Sequence, residues 1–212
     1  MDDTGPQLYT VKCLMVGPSQ TGKTSLMRRF ADDCFTTSPE ATCRYGYRKK
    51  DVSVGNTTVR MEMWDLSGDE RFLHMSKGLF RQAQCKMLVY DICSQTSFDR
   101  VPFWLDTILS YHATSPLPHP YVMLVGNKRD KEAGREVSTE SGAAYAEASD
   151  ILFTETSALE DISVASAFHS LCDWVCRDIE GGVVEAQHFG PQLIETEPAL
   201  NDTDQFGNCF CQ

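Results

Sequence analysis

The sequence lacks any hydrophobic run that could span a membrane, because no apolar stretch approaches the ~18 residues required. The first residues, Met-Asp-Asp-Thr-Gly-Pro, have neither the basic nor the apolar region of a signal peptide. None of the nine cysteines forms a C-x-x-C pair, and Cys172 and Cys176 are spaced four apart on a predicted helix. A zinc site is therefore not indicated, and we expect free thiols in a reducing, cytosolic setting.

Positive charge is also scarce. The net charge is −11, and no lysine or arginine occurs between residues 178 and 212. This deficit opposes non-specific binding to nucleic acid, which needs a surplus of cations to neutralise phosphates. The length of 212 residues and an apolar content of 42% predict one globular domain. We expect a flexible N-terminus over 1–7, a domain over 8–180 and a flexible acidic tail over 181–212.

Short apolar runs alternate with helical patterns along the domain. Strands are predicted over 8–16, 45–54, 57–64, 86–92, 121–125 and 151–154. Helices are predicted over 23–31, 97–111, 139–148 and 162–178. Such alternation is typical of an α/β fold with a doubly wound, mostly parallel six-stranded sheet and helices on both faces. Ligand-binding loops then lie at the carboxyl ends of the strands.

One such loop carries the motif G-x-x-x-x-G-K-[ST], read as Gly-Pro-Ser-Gln-Thr-Gly-Lys-Thr over residues 17–24. We call these eight residues the phosphate loop. Backbone N–H groups of such a loop surround a polyphosphate, Lys23 supplies a cation and Thr24 supplies a hydroxyl ligand for Mg²⁺. We predict nucleotide contacts for Gly17, Ser19, Gln20, Thr21, Gly22, Lys23, Thr24 and Ser25.

Two further motifs follow later strands. Asp65-Leu66-Ser67-Gly68 can hold Mg²⁺ through its carboxylate and offer the Gly68 N–H to a γ-phosphate. Asn127-Lys128-Arg129-Asp130, the base loop, ends in a carboxylate that can accept from the two donors of guanine. Asn127 can support the loop, Lys128 can lie along the ring, and backbone N–H groups near Ser157, Ala158 and Leu159 can meet the guanine carbonyl. Four motifs are thus present: the phosphate loop, Asp65–Gly68, the base loop and Ser157-Ala158 after the sixth predicted strand. Each alone also fits a polar turn, but four in this order, each after a predicted strand, are not explained as polar turns.

Together these motifs resemble those of the Ras-superfamily small GTPases over residues 8–180, with the P-loop NTPase fold. The stretches Trp64-Asp65-x-x-Gly68-x-Glu70-Arg71-Phe72 and Leu79-Phe80-Arg81-Gln82-Ala83 resemble the Rab family most. The resemblance implies GTP and GDP as ligands, Mg²⁺ held by Thr24, Thr42 and Asp65, and hydrolysis assisted by Lys23, Thr42 and Gly68.

The resemblance also assigns roles to residues in the switch segments, 34–47 and 66–80. Phe35 matches the aromatic residue that packs near guanine, although a core aromatic residue is an alternative. Thr42 matches the switch threonine, and a surface position leading into a strand is its alternative. Tyr47, Trp64 and Leu79 match the apolar surface that Rab proteins present to effectors, and plain packing is the alternative for all three.

The chain departs from the family at three places. Asp69 stands where glutamine usually orients the attacking water, and its negative charge is unfavourable beside a γ-phosphate. A direct general-base role for Asp69 is conceivable but doubtful, so slow intrinsic hydrolysis is expected. The bulky Arg44 lies two residues after Thr42, in a stretch where a glycine usually follows the threonine closely, so effector recognition is not carried over from the family. The tail lacks the polybasic stretch that commonly supports a lipid anchor.

The last four residues, Cys209-Phe210-Cys211-Gln212, fit a prenylation signal. Because one lipid chain holds a membrane only marginally, we expect a second lipid on Cys209 or Cys211. The resemblance implies a monomeric switch in vesicle traffic, located in the cytosol and on the cytoplasmic face of endomembranes. Implied partners are an exchange factor, a GTPase-activating protein, effectors, a prenylation escort protein and a dissociation inhibitor.

Three functions other than a nucleotide switch are alternatives for this sequence. A hydrolysis-deficient scaffold that holds GTP permanently shares every binding residue and differs through Asp69. An ATPase or small-molecule kinase is opposed by the base loop. A nucleic-acid-binding module is opposed by the charge.

Overall fold

The computed structural model describes residues 8–37, 42, 45–115, 117 and 119–189. Within these ranges the strands form a six-stranded sheet in the order β2–β3–β1–β4–β5–β6. The strands are β1 (Leu8–Val16), β2 (Tyr45–Val54), β3 (Thr57–Leu66), β4 (Cys85–Asp91), β5 (Tyr121–Asn127) and β6 (Leu152–Glu155). Only the β2–β3 pair is antiparallel among the pairs described. The predicted fold class, a mostly parallel α/β sheet, is confirmed.

Helices connect the strands and cover both faces of the sheet. The α-helices are α1 (Lys23–Asp32), α2 (Lys77–Gln82), α3 (Gln95–Asp99), α4 (Val101–His112), α5 (Thr139–Ala148) and α6 (Val164–Glu180). The 3₁₀ helices of the described residues span Glu70–Ser76, Arg129–Gly134 and Ala186–Phe189. None of the helices in the described ranges is both long and apolar enough to cross a bilayer.

The strand residues alternate between two buried clusters, one on each face of the sheet. On one face, Val11 and Met15 of β1 pack with residues of α1 and α6, where Phe30 stacks on Phe168 at 4.1 Å between ring centroids. On the other face, Leu14 and Val16 pack with α2, α4 and α5. Burial on both faces explains why β4 and β5 are continuous apolar runs rather than alternating ones.

The helix predicted over 97–111 is two helices, and this prediction was wrong. α3 ends at Asp99, and α4 begins at Val101 after Arg100. Pro102 explains the break, because proline lacks a backbone N–H and fits a helix only in its first turn. The chain therefore starts a new helix that places Pro102 at its beginning.

The predicted tail boundary at residue 180 also needs correction. Val184 and Phe189 are buried against the domain, and the carbonyl of His188 accepts from Gln84 Nε2 at 3.1 Å. Phe189 lies 6.4 Å from Tyr121 between ring centroids. The packed part of the chain thus runs to Phe189, because two apolar side chains anchor a segment whose overall composition is polar. The expected flexible segments over 1–7 and 190–212 lie outside the described residues.

Candidate nucleotide site

A cavity of about 780 Å³ opens at the carboxyl ends of the parallel strands, and its volume is typical of small-molecule sites. From the phosphate loop and α1, the predicted residues that line it are Ser19, Gln20, Gly22, Lys23, Thr24 and Ser25. From the two switch segments they are Phe35, Thr42, Gly68 and Asp69. From the later loops they are Asn127, Lys128, Asp130, Ala158 and Leu159. The cavity therefore brings residues of all four predicted motifs together.

Other lining residues were not predicted. Thr36 and Thr37 come from the first switch segment, Ser67 from the loop after β3, and Lys131 from the helix after the base loop. Threonine and serine in a loop carry no distinctive spacing, so the sequence offered no signal for these positions.

The glycines of the phosphate loop are required by its backbone. Gly17 and Gly22 have φ of 127° and 90°, a region that side chains strain. A Cβ on Gly17 would lie 2.2 Å from the carbonyl oxygen of Val89 in β4, and one on Gly22 would lie 2.3 Å from Asn127 Nδ2. The loop thus curves tightly because neighbouring strands leave no space for side chains.

Lys23 is buried at the start of α1, and its side chain folds back over the phosphate loop. Its Nζ donates to the carbonyl oxygens of Gly17 and Pro18, each at 2.8 Å. Burial lowers the pKa of Lys23 to about 8, and the negative charge of Asp65 partly offsets that effect. The ammonium group is therefore a poorly compensated cation inside the cavity, which favours an anionic ligand.

Three oxygen atoms converge below the phosphate loop. Thr24 Oγ1 donates to Asp65 Oδ2 at 2.5 Å, and Thr42 Oγ1 donates to the same oxygen at 3.1 Å. The two hydroxyl oxygens lie 2.9 Å apart. The three residues that the resemblance assigned to Mg²⁺ are thus in mutual contact.

Asp65 tests whether these residues fit a divalent cation. It is fully buried, and its Oδ1 has no hydrogen-bond partner in the described chain. Burial raises the pKa of Asp65, while hydrogen bonds from Thr24 and Thr42 and the charge of Lys23 act in the opposite direction. A buried carboxylate with a spare oxygen beside two hydroxyls is a donor set of the kind that Mg²⁺ prefers. The residues therefore fit the metal.

Asn127 connects the base loop to the phosphate loop. Its Nδ2 donates to the carbonyl oxygen of Thr21 at 2.9 Å, and its Oδ1 accepts from Thr156 Oγ1 at 3.2 Å. The Asn127 and Thr156 side chains are buried, so water cannot replace a lost partner and breaking either hydrogen bond would destabilise the protein. These bonds consequently fix the position of the base loop relative to the phosphate loop.

Asp130 is oriented by Ser157, which the sequence had placed near the base. Ser157 Oγ donates to Asp130 Oδ1 at 2.7 Å and accepts from the backbone N–H of Glu160 at 3.0 Å. Because a hydroxyl has one proton to donate, the N–H from Glu160 directs that proton toward the carboxylate. Ser157 thus positions the group predicted to select guanine.

Two contacts in this region were missed. Lys128, with φ of 69°, pairs its Nζ with Asp91 Oδ2 at 2.6 Å. Asp91 ends β4, and a carboxylate at the carboxyl end of a predicted strand was a signal that could have found it. Arg29 of α1 donates to the carbonyl oxygen of Ala158 at 2.9 Å. The spacing of these two residues in the sequence does not predict their contact.

Phe35 both lines the cavity and packs against the core cluster beside α1 and α6. The two interpretations of Phe35 from sequence are therefore compatible.

Comparison with known proteins assigns the family. The Ras family matches residues 12–177 of this chain. The chain belongs to the Ras family. This membership agrees with the sheet order and with the cavity that brings the four motifs together.

Rab proteins are among its relatives. The chain is 37% identical to Ras-related protein Rab-11C of Dictyostelium discoideum, over 77% of this chain and 71% of that protein. It is 32% identical to Ras-related protein Rab-3 of Caenorhabditis elegans and 35% identical to Ras-related protein Rab-3B of Mus musculus. Those two alignments cover 95% and 96% of this chain and 91% of each relative. The predicted resemblance to a divergent Rab protein is confirmed.

In this cavity Asp69 stands at the position where the family pattern has glutamine. Its Oδ1 accepts from the backbone N–H and the Nε of Arg71, both at 3.0 Å, and its Oδ2 accepts from Arg71 Nη2 at 2.6 Å. These bonds lower the pKa of Asp69, so the carboxylate stays ionised. An ionised carboxylate turned to a guanidinium offers no donor to a phosphate, which weighs against a catalytic role for Asp69.

The predicted effector surface is partly assembled. Tyr47 is 37% exposed, and its ring lies 4.8 Å from that of Trp64 between centroids. Trp64 and Leu79 are half-buried against the core cluster beside α2 and α4. Tyr47 is thus the most exposed of the three residues, and the effector surface stays a prediction with plain packing as its alternative.

Some predictions lie outside the described residues. These include the predicted lipid attachment at Cys209 and Cys211 and the effect of Arg44 in the first switch segment.

Proposed function

We propose that this chain is a Rab-like guanine-nucleotide switch that binds GTP and GDP with Mg²⁺, hydrolyses GTP slowly and regulates vesicle traffic. One observation supports it above the others. A single cavity has Lys23 and the phosphate loop at one end and Asp130 at the other, joined by the hydrogen bond from Asn127 to Thr21. A cation and a carboxylate at opposite ends of one cavity match the triphosphate and the donor-bearing base of GTP.

Lys23 and the backbone of the phosphate loop bind the phosphates in this proposal. The Lys23 ammonium group exchanges the carbonyl oxygens of Gly17 and Pro18 for phosphate oxygens, which restores its full charge. The N-terminus of α1 adds partial positive charge at the same place. The favourable free energy of binding therefore comes from the Lys23 ammonium group and the N-terminus of α1, whose positive charge is unfavourable in a buried site without an anion.

Thr24, Thr42 and Asp65 hold Mg²⁺ in this proposal, and a bound Mg²⁺ would neutralise charge on the outer phosphates during hydrolysis. Thr42 belongs to the first switch segment and already contacts Thr24 and Asp65. Its hydroxyl therefore links the order of that segment to the occupancy of the site. Loss of the γ-phosphate then releases both switch segments and the effectors that bind them.

Asp130 gives the sharpest test of base specificity. Asp130→Asn replaces an acceptor oxygen with a donor, so it clashes with the 2-amino group of guanine and suits the 2-carbonyl group of xanthine. We expect affinity for GDP to fall at least about 100-fold and affinity for xanthosine diphosphate to rise. The matched control is Asp106→Asn on the exposed side of α4, which should change neither. Equal loss for both nucleotides would contradict the assignment of Asp130.

The second candidate is a scaffold that holds GTP without hydrolysing it, and the ion pair between Asp69 and Arg71 favours it. Nucleotide extracted from freshly purified protein separates the two functions, since a cycling enzyme carries mostly GDP and the scaffold mostly GTP. Single-turnover hydrolysis should accelerate about tenfold in Asp69→Gln, because the amide restores a neutral donor near the attacking water. An unchanged rate would refute the role given to this position.

Membrane attachment through Cys209 and Cys211 completes the proposal, together with the regulators that the Rab resemblance implies. These are an exchange factor, a GTPase-activating protein, effectors, an escort protein and a dissociation inhibitor. The intact mass of protein from cells should show two lipids, because one chain anchors weakly and the acidic tail is repelled by anionic lipid. A mass with a single lipid would contradict this part.

A further inference from the structure

The segment that carries Asp69 is fixed against the phosphate loop. A Cβ on Gly68 would lie 2.3 Å from the backbone nitrogen of Ser19 and 2.5 Å from the carbonyl carbon of Pro18. Only glycine permits this approach of two backbones. Asp69 follows directly and lines the cavity at its phosphate end. A full negative charge therefore lies where a γ-phosphate would bring more negative charge.

Arg71 matches this charge in a defined geometry. Its Nε and Nη2 donate to the two carboxylate oxygens of Asp69. Its backbone N–H also donates to Oδ1 of Asp69, whose side chain thereby caps the 3₁₀ helix Glu70–Ser76. The Arg71 side chain is 84% exposed and that of Asp69 is 27% exposed. Asp69 thus lines the cavity and is largely shielded from solvent, whereas the Arg71 side chain that pairs with it is mostly exposed.

The neighbouring acid does not compete for Arg71. Both carboxylate oxygens of Glu70 accept from Arg100, at 2.9 Å from Nε and 2.5 Å from Nη2. The Arg100 guanidinium also lies 4.5 Å from the centroid of the Phe103 ring on α4. Each of the two adjacent acids is therefore paired with a different arginine, Asp69 with Arg71 and Glu70 with Arg100.

We propose that Arg71 determines the preference of this site for triphosphate over diphosphate, by neutralising Asp69 beside the γ-phosphate. The pair Asp69–Arg71 then takes the place of a single neutral side chain. This inference rests on the proposed function, because it concerns the same nucleotide cavity. In this proposal Asp69 would be nearer to a γ-phosphate than to a β-phosphate, so GDP binding is affected less.

The experiment compares dissociation constants for GDP and for a non-hydrolysable GTP analogue, both with Mg²⁺. In Arg71→Gln we expect affinity for the analogue to fall about tenfold relative to GDP, since an uncompensated charge lies near the γ-phosphate. The ratio of the two constants should return to within about twofold of wild type in the double variant Asp69→Asn/Arg71→Gln. Raising the salt concentration should shrink the effect, because the pair is exposed and screened.

Arg60→Gln is the matched control. Arg60 forms a two-point pair of similar geometry with Asp51 on the β2–β3 hairpin, at 2.9 and 3.0 Å, away from the cavity. Its ratio of constants should stay at the wild-type value. The melting temperature of each variant reports whether it folds.

Two results would overturn the inference. An unchanged ratio in Arg71→Gln, or equal loss of both ligands, would give Arg71 a merely structural role. A double variant as impaired as Arg71→Gln would show that Arg71 acts on the phosphate itself rather than through Asp69. Failure of the wild-type protein to bind either nucleotide would instead refute the proposed function, so the two failures are distinguishable.

Discussion

Two of the lysines that are buried in the described part of the chain lie at opposite ends of the sheet, Lys23 at the carboxyl end and Lys86 near the start of β4 at the amino end. Both donate to backbone carbonyl oxygens, Lys23 to Gly17 and Pro18 and Lys86 to Ala83 at 2.7 Å. Burial lowers the pKa of each to about 8. Desolvation thus disfavours the charge of both ammonium groups to a similar extent, although Lys23 lines a cavity and Lys86 lies within the sheet.

The surroundings of the two lysines differ. Lys23 faces the cavity and has Asp65 nearby, so an anionic ligand can restore its charge. Lys86 is 1% exposed and has Leu14 and Val122 as its neighbours on the adjacent strands. His112 is near enough that Lys86, together with burial, lowers its pKa. Burial of Lys23 therefore carries a cost that ligand binding can offset, whereas the hydrogen bonds of Lys86 in the described residues go only to the carbonyl oxygens of Ala83 and Gln84.

Removing Lys23 is the strongest test of this contrast. Lys23→Met should weaken GDP and GTP binding about 10²–10³-fold, because the phosphates lose a buried cation. The nucleotide-free protein should unfold at the same or a higher temperature, since a buried charge is gone. Fluorescence titration and thermal unfolding measure the two effects. Lys86→Met, the matched control, should bind nucleotide as wild type does, and a loss in both variants would break the comparison.

The contrast also shows which features sequence could predict. The phosphate loop was predictable because its backbone geometry requires glycine at fixed positions, and the base loop because its polar and charged residues directly follow a strand. Lys86 was not, since a lysine within Cys85-Lys86-Met87-Leu88 is compatible with a buried strand and gives no sign of its own environment. Side-chain pairs such as Asp69 with Arg71 depend on rotamers that the spacing of residues does not determine.

The short helices and the end of the domain escaped prediction for a related reason. The 3₁₀ helix Glu70–Ser76 and α2 are too short to show the 3.6-residue period. The segment Ala186–Phe189 lies in a stretch whose composition predicts disorder, and the burial of Phe189 against Tyr121 and the hydrogen bond from Gln84 to the His188 carbonyl order it. Tertiary contacts at the amino end of the sheet thus override local composition.

Phe189 tests how much the amino end of the sheet contributes to the stability of the protein, as distinct from nucleotide binding. Phe189→Ala should lower the free energy of unfolding by about 3 kcal/mol, because a fully buried ring is lost and a cavity remains. Affinity of the folded protein for GDP should not change. Val183→Ala in the same segment is the control, since Val183 is 55% exposed and should cost less than about 0.5 kcal/mol. Urea unfolding measures both variants, and similar effects would contradict the anchoring role of Phe189.

Lys86→Met should stabilise the protein by about 2 kcal/mol at neutral pH, because methionine has a similar volume and carries no charge to desolvate. Lys77→Met on the exposed side of α2 is the control, and its effect should stay within about 0.5 kcal/mol. Urea unfolding gives both values. A destabilised Lys86→Met would show that the hydrogen bond to Ala83 outweighs the burial of the charge.

The stabilisation by Lys86→Met should fade as pH rises. In wild type, Lys86 loses its proton near pH 8 when folded but only near pH 10.4 when unfolded. Between these values the unfolded chain binds more protons, so wild-type stability rises with pH relative to the variant. Burial raises the pKa of thiols such as Cys13 and Cys85, which lowers stability above pH 9 in both proteins and largely cancels in their difference. The difference in unfolding free energy should therefore narrow by about 1 kcal/mol between pH 7 and pH 9. A constant difference would mean that Lys86 stays protonated in the folded protein, with an environment more polar than its burial indicates.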